Sequence, residues 1–569
     1  MSTPPWLPDE ATLTLLANEL YGPVPGHGPE QPAGPAEAPV EVRPQPPTEL
    51  TDQHESPGGT PREQGSADVA GFQPPGLSDF HRAASAPGRL AAVPRGPADF
   101  SVPGLPRSTA AAILAAARPD RLETAAGLAD ASQVAAPSFY FIGERPPVLG
   151  ASSAVPLDAH PAFQVEAVRR DFPVLSERVK GRPLVWLDNA ATTQKPQVVI
   201  DRLAYFYAHE NSNIHRAAHT MAARATDAYE SARNTVAGFL GAPSADNVVF
   251  TRGTTEAINL VAQSWGRKHV GPDDEIVVSH LEHHANIVPW QQLCAETGAK
   301  LKVIPVDDDG RLLLDAYGSL LNPRTRLVSV AHVSNVLGTI VPVKEVIEAA
   351  HRAGARVLID GAQAVAHMAV NVQALDADFY TFSGHKIFGP TGIGALFAKR
   401  ELLEEMPPWQ GGGNMISDVT FERTVYQGPP ARFEAGTGNI ADAVGLGCAL
   451  GYLSRLGLSI VERYEHDLLE YAMAEIRSVP GLHLIGTAPE KASVLTFVLD
   501  GYRPEDVATE LDGQGIAVRA GHHCAQPILR RYGLEAAVRP SLAMYNTHGE
   551  VDLLVAALRR LAWGAGRRR

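Results

Sequence analysis

From about Val165 onward, short apolar runs alternate with longer stretches in which apolar residues recur every third or fourth position. The runs Asn247–Phe250, Glu275–Ser279, Leu301–Pro305, Arg326–Ala331, Arg356–Asp360 and Phe379–Phe382 predict strands, and the stretches between them predict amphipathic helices. Such alternation predicts βα units, hence an α/β fold with a mostly parallel sheet and helices on both faces. Polar residues collect at the carboxyl ends of the runs, where open α/β sheets bind their ligands. After about Phe433 a shorter helix–strand–helix segment follows, ending in a Leu-rich helix and the basic tail Arg567–Arg569. The expected division is a large domain over 161–432 and a smaller α/β domain over 433–569.

The first 160 residues follow neither pattern. They hold 26 of the 46 prolines and no lysine, and carry 18 Asp and Glu against 9 Arg, a net of −9. A Pro/Gly/Ala-rich stretch with few aliphatic residues cannot bury enough surface to offset its ordering entropy. The expectation is a disordered arm with three apolar islands. Leu7–Gly22 and Ser108–Ser132 have helical spacing, and Ser138–Gly150 opens with the aromatic stretch Ser-Phe-Tyr-Phe-Ile, suited to an extended docking strand.

A length of 569 residues leaves room for two to four domains. The net charge of −14 argues against nucleic acid as a main partner. No apolar run approaches the roughly 20 residues needed to span a bilayer, and the N-terminus has no signal-peptide pattern. Only three cysteines occur, widely spaced, so a disulfide framework is not expected and a cytoplasmic location fits. Cys294 and Cys448 lie in apolar helical patterns and read as small buried hydrophobes. Cys524 does not.

The chemistry begins with Asp360, which ends the run Val-Leu-Ile-Asp, and Lys386, 26 residues later in Ser383-Gly-His-Lys386. An aspartate at a strand end can hold a pyridine nitrogen protonated, and a lysine can form a Schiff base with an aldehyde; together they fit pyridoxal phosphate. Gln363 is a candidate for the cofactor's phenolic oxygen. Arg252-Gly-Thr254-Thr255-Glu opens a helix after a strand, so its free N–H groups, hydroxyls and dipole favour a phosphate. Ser383 and His385 can add donors. His283 can stack on the pyridine ring and move protons, whereas His284 reads as structural. Asn335 is a candidate for the phenolic oxygen or a substrate carboxylate.

Cys524 lies in Arg519-Ala-Gly-His-His-Cys-Ala-Gln-Pro527, a loop bracketed by Gly and Pro. Arg519 and any protonated histidine make it electropositive, which suits a nucleophilic thiolate. Adjacent side chains rarely reach one ion together and no second ligand cluster stands out, so no metal is expected. Arg519 and Arg539 are both candidates for a substrate α-carboxylate, which a guanidinium grips with two hydrogen bonds. The pattern alone does not rank them.

These segments, with Leu187-Asp-Asn-Ala-Ala191, Arg432–Thr437 and Ser541–His548, resemble the SufS-type (group II) cysteine desulfurases of the class V aminotransferase group. The resemblance covers about residues 164–565 and implies the pyridoxal-phosphate transferase fold of type I. It implies Lys386 as the Schiff-base lysine, Asp360 on the ring nitrogen, His283 on the ring and Gln363 at the phenolic oxygen. Phosphate contacts would come from Thr255, Ser383 and His385, with Thr437 reaching in from the second subunit of a homodimer. Arg539, helped by Asn335 and Arg519, would take the carboxylate of L-cysteine. Cys524 would accept the sulfur as a persulfide, release L-alanine and pass the sulfur to a SufE- or SufU-like acceptor.

The arm is similar to that of desulfurases packaged inside encapsulin nanocompartments of family 2A, which implies a shell protein as partner and a shell lumen as location. Two other classes share part of the pattern. One is a related enzyme such as a selenocysteine lyase or an aminotransferase, the latter having no need of Cys524. The other is an inactive shell-associated protein, against which the intact Lys386, Asp360 and Cys524 set argues.

Overall fold

The computed structural model describes residues 163–215 and 219–566. The arm expected over 1–160, with its three islands, lies outside the described residues, as does the tail Arg567–Arg569. Seven strands form the main sheet: β1 (Val248–Thr251), β2 (Glu275–Ser279), β3 (Lys300–Ile304), β4 (Thr325–Ala331), β5 (Arg356–Asp360), β6 (Phe379–Ser383) and β7 (Gly394–Ala398). Their spatial order is β1-β7-β6-β5-β4-β2-β3. Strands β2 to β6 are parallel. β7 runs antiparallel to both its neighbours, β6 and β1.

Each of the six runs read from sequence falls on a strand, within one residue at either end. β7 is the strand the sequence does not announce. It reads Gly-Ala-Leu-Phe-Ala, without the β-branched residues that mark the other six. Its first residue does something only glycine can do there. A Cβ on Gly394 would lie 2.5 Å from the Phe382 carbonyl oxygen and 2.6 Å from the Gly253 Cα. That close approach aligns Gly394 with both Thr251 and Ser383, which brings the end of β6 beside the turn that follows β1.

Side chains alternate between the two faces of the sheet, as the two-residue strand period requires. Phe250, Val328, Val330, Val357, Ile359 and Phe382 join one apolar cluster, and Val249, Leu327, Leu358, Phe379 and Leu396 join another. The first cluster is closed by helices α1 (Gln197–His209), α2 (Thr220–Leu240) and, later in the chain, α4 (Ile440–Leu456). In α2 the residues Ala222, Ala225, Tyr229, Ala232, Val236 and Leu240 are buried at three- and four-residue spacing. The His219 side chain caps its start by accepting from the Ala222 N–H, and Gly241, at φ 64°, ends it. The second cluster takes in α3 (Thr254–Val261) and the helix Val288–Thr297.

A four-stranded antiparallel sheet forms the smaller part: β8 (Leu482–Ile485), β9 (Thr496–Leu499), β10 (Arg519–Gly521) and β11 (Ala537–Arg539), in the order β8-β9-β11-β10. Helices α5 (Leu458–Arg477) and α6 (His548–Gly566) cover it with a third core that includes Leu468, Phe497, Val538 and Leu554. The boundary expected at 432/433 precedes α4, yet α4 packs on α1 and α2. The smaller core draws instead on residues from Leu468 onward, together with Val185 and Leu187. Among the described residues no single helix is long and apolar enough to cross a membrane.

Candidate active site

One cavity, at the carboxyl ends of the parallel strands, gathers twelve of the thirteen residues expected to carry chemistry. Asp360, the last residue of β5, is buried at its floor. One carboxylate oxygen accepts from the Ala362 N–H at 2.9 Å, and no donor among the described residues meets the other. Burial raises the Asp360 pKa, with the Ala362 N–H and the Lys386 amine pulling the other way. Gly361 lets the chain turn here, since a Cβ would meet the Tyr380 ring at 2.2 Å.

Lys386 ends a single helical turn, Gly384–Lys386, that follows β6. The turn is pinned through the His385 carbonyl, which accepts from Thr192 Oγ1 at 2.9 Å, the Thr193 N–H at 3.0 Å and Lys195 Nζ at 3.1 Å. Burial pushes the Lys386 pKa down to about 8, against the opposing pull of Asp360. So depressed, the amine holds far more of its neutral, nucleophilic form near neutral pH than an ordinary lysine does, although the protonated form still predominates there. The neighbouring His385 is lowered to about 4, by burial first and by Lys386 and Lys195 after it.

The anion end lies where β1, β6 and α3 meet. Gly253, at φ 151°, leads into α3. The Thr254 N–H donates to Ser383 Oγ at 2.9 Å, and the two hydroxyls lie 3.1 Å apart. Thr255 and His385 line the same end. Across the cavity His283 is held by its own turn: its Nδ1 accepts from the Ala285 N–H at 3.0 Å, which leaves Nε2 to carry the ring proton. Burial, then the charge of Lys386, lowers its pKa to about 3, so the imidazole is neutral at physiological pH. Gln363 lines the wall and donates to the Ala190 carbonyl at 2.6 Å.

The cysteine loop is contributed by the smaller sheet. His523 and Cys524 both adopt left-handed backbone conformations, φ 52° and 56°, which are costly for residues with side chains. Four hydrogen bonds hold them there. Cys524 N donates to His522 Nδ1 at 3.0 Å, and Asn335 Nδ2 donates to the His523 carbonyl at 2.8 Å. The His284 N–H donates to the Cys524 carbonyl at 2.7 Å, and His523 Nε2 donates to the Ala537 carbonyl at 3.0 Å. The thiol is thereby presented, partly exposed, at the cavity mouth.

Arg539 is buried and donates to the Asn335 carbonyl at 2.8 Å and to Asp188 at 3.3 Å. Arg519, more exposed, reaches the other Asp188 oxygen at 3.1 Å. Burial lowers the Arg539 pKa to about 10, with Asp188 opposing. Thr437 alone stands apart. It is exposed, outside the cavity, with its hydroxyl 3.4 Å from Asn213 Oδ1.

Three contributors are not singled out by the sequence reading. Asp188 bridges the two arginines; its only signal is its place in Leu187-Asp-Asn-Ala-Ala191. Glu282, the residue before His283, is fully buried, bonded to Ser279 Oγ and to Asn286 Nδ2 at 2.6 Å, and burial lifts its pKa to about 8. His284, read as structural, meets the cysteine loop.

The cavity suits pyridoxal phosphate on its own evidence. Asp360 keeps one oxygen for a donor, Asn335 Oδ1 and Arg539 Nε are buried without a partner, and a lysine of depressed pKa lines the same cavity as they and the threonine turn do. This is a chain of the aminotransferase class-V family, whose pattern it matches over residues 185–554, and its cofactor is pyridoxal phosphate. A probable cysteine desulfurase of Mycolicibacterium paratuberculosis is 66% identical over 407 residues, covering 72% of this chain and 59% of the relative, so the chain spans less than two thirds of that protein's length. A cysteine desulfurase of Synechococcus elongatus is 62% identical over 462 residues, 78% of this chain and 74% of the relative. Among solved structures, the cysteine desulfurase CsdA from Escherichia coli, in an S-sulfonic acid form, superposes with a TM-score of 0.66 at 40% identity, covering 71% of this chain and 99% of that one.

Proposed function

We propose that this chain is a cysteine desulfurase of the SufS type, converting L-cysteine to L-alanine and taking the sulfur onto Cys524. The observation that carries the reading is the meeting of Cys524, Lys386, Arg519 and Arg539 around one cavity. The bound cofactor supplies an electron sink that stabilises charge at the substrate α-carbon. Asp360 favours a protonated ring nitrogen, which deepens that sink. Arg539, with Arg519 and Asn335, receives the carboxylate and so orients the substrate. Lys386 would remove the α-proton, and neutral His283 would hold or return protons beside it. The Cys524 thiolate attacks the substrate sulfur; the S–S bond forms as the substrate C–S bond breaks, and the three-carbon remainder leaves as alanine after protonation.

Three finer features belong to the same proposal. Two chains pair so that Thr437 of each meets the cofactor phosphate of the other, which accounts for its exposure and its distance from its own cavity. A SufE- or SufU-like protein collects the persulfide sulfur. The arm docks the enzyme to an encapsulin shell within the cytoplasm.

The test is an assay of the purified protein with L-cysteine and a thiol reductant. Equal yields of alanine and sulfide are expected. Pyruvate with ammonia, or a pyridoxamine form accumulating without sulfide, would replace this reading with a lyase or an aminotransferase.

A further inference from the structure

Outside the cofactor residues, one cluster joins side chains from two distant segments. One ring nitrogen each of His284 and His522 and the Cys524 sulfur all lie within 4.8 Å of one another. The two imidazole rings stack, with centroids 5.7 Å apart and planes 27° from parallel. The cluster is built rather than incidental. His284 is tied to the cysteine loop twice, by its own N–H to the Cys524 carbonyl at 2.7 Å and by the Gln526 N–H to its Nε2 at 3.3 Å. His522 is tied once, through the Cys524 N–H to its Nδ1 at 3.0 Å. These bonds leave His284 Nδ1 and His522 Nε2 without a partner among the described residues.

We propose that His284, His522 and Cys524 form a reversible binding site for a thiophilic divalent cation of the zinc class, with its fourth position open to solvent. One thiolate and two imidazoles form a ligand set that zinc favours over magnesium or calcium. Zinc bonds of about 2.0–2.3 Å place tetrahedral N and S ligands roughly 3.6 Å apart. The cluster therefore closes by about 1 Å, within reach of side-chain rotation at the exposed His522 and partly exposed Cys524. Ligation moves each ring proton to the opposite nitrogen and so gives up a backbone hydrogen bond. Arg519 and Arg539, lining the adjoining cavity, repel the ion. Both effects make this a site of moderate affinity that fills and empties rather than a structural one. Binding displaces the thiol proton and occupies the sulfur lone pair, so a bound ion blocks sulfur acceptance. The blocking limb rests on the proposed role of Cys524; the binding limb does not.

The experiment titrates the holoenzyme with zinc by calorimetry and follows alkylation of Cys524 by iodoacetamide and cysteine turnover in parallel. One zinc per chain is expected, with Cys524 protected from alkylation and turnover falling as the site fills. His522→Ala, at an exposed position, should weaken zinc binding at least tenfold and remove the protection, each variant being compared with its own metal-free state. His284→Ala should do the same, and Cys524→Ser, which has no thiol there to alkylate, should weaken zinc binding by at least as much. Equal zinc affinity in the wild type and all three variants, or full alkylation of the zinc-loaded wild type, would overturn the site. Zinc bound and protective but without effect on turnover would leave the site standing and remove Cys524 from the reaction. Loss of sulfur transfer in Cys524→Ser without zinc binding to the wild type would do the reverse.

Discussion

Arg519 and Arg539 face each other in register across the antiparallel pair β10 and β11, and one carboxylate, Asp188, holds both. They are a pair with unequal surroundings. The Arg539 side chain is 2% exposed and also bonded to the Asn335 carbonyl, whereas that of Arg519 is 47% exposed. A charge-assisted hydrogen bond contributes about 1.5–3 kcal/mol when buried, and far less when solvent screens it. Arg539→Lys should therefore lower kcat/KM for L-cysteine by roughly ten- to hundred-fold, mostly through KM. Arg519→Lys should change it only a few-fold. Steady-state kinetics of the two variants checks the order, and the reverse order would move the principal carboxylate contact to Arg519.

The depressed pKa of Lys386 sets a pH dependence. Its amine loses its proton near pH 8 rather than 10.5, and only the neutral form attacks an aldehyde. Covalent uptake of pyridoxal phosphate by cofactor-free protein should accelerate as pH rises through about 8 and then level off. Stopped-flow absorbance in the visible band reads this directly. Lys386→Ala should show no such band at any pH.

Cys524→Ser should keep the cofactor spectrum of the wild type and lose nearly all sulfur transfer. A hydroxyl occupies the same place but does not accept sulfur, and the four hydrogen bonds that shape the loop do not involve the thiol. Near-normal sulfide release would identify a simple lyase.

Deleting residues 1–150 should leave cysteine turnover within about two-fold of the full chain, because among the described residues the buried members of the three cores and the cavity lining all lie at Val168 or beyond. On the proposed docking role, co-assembly with a co-expressed shell protein should be lost, since weak motifs on the two arms of a dimer would act through their effective concentration. Unchanged packaging would end the docking role. Lost turnover would assign the arm to the enzyme.

The sequence discloses most of this architecture where the signal is local. Six strands carry apolar, β-branched runs, and Asp360 and Lys386 lie in short stretches whose residues contact one another. What it does not disclose depends on contacts between residues far apart in the chain. Asp188 meets Arg519 and Arg539 across 331 and 351 residues, and a lone aspartate after a short apolar run gives no hint of two guanidiniums. β7 is hidden because its place is set by the space Gly394 leaves rather than by strand propensity. His284 is hidden because its partners, His522, Cys524 and Gln526, lie more than 200 residues away in the chain.

The adjacency of His283 and His284 has a mechanical side. The backbone bond from His284 to the Cys524 carbonyl and the ring bond within the His283 turn belong to consecutive residues. The loop that carries Cys524 is thus one peptide unit from the imidazole at the cavity wall. Any outward movement of Cys524 must therefore either break that link or carry the imidazole with it. A displacement at the cavity mouth is in this way felt at the cavity wall.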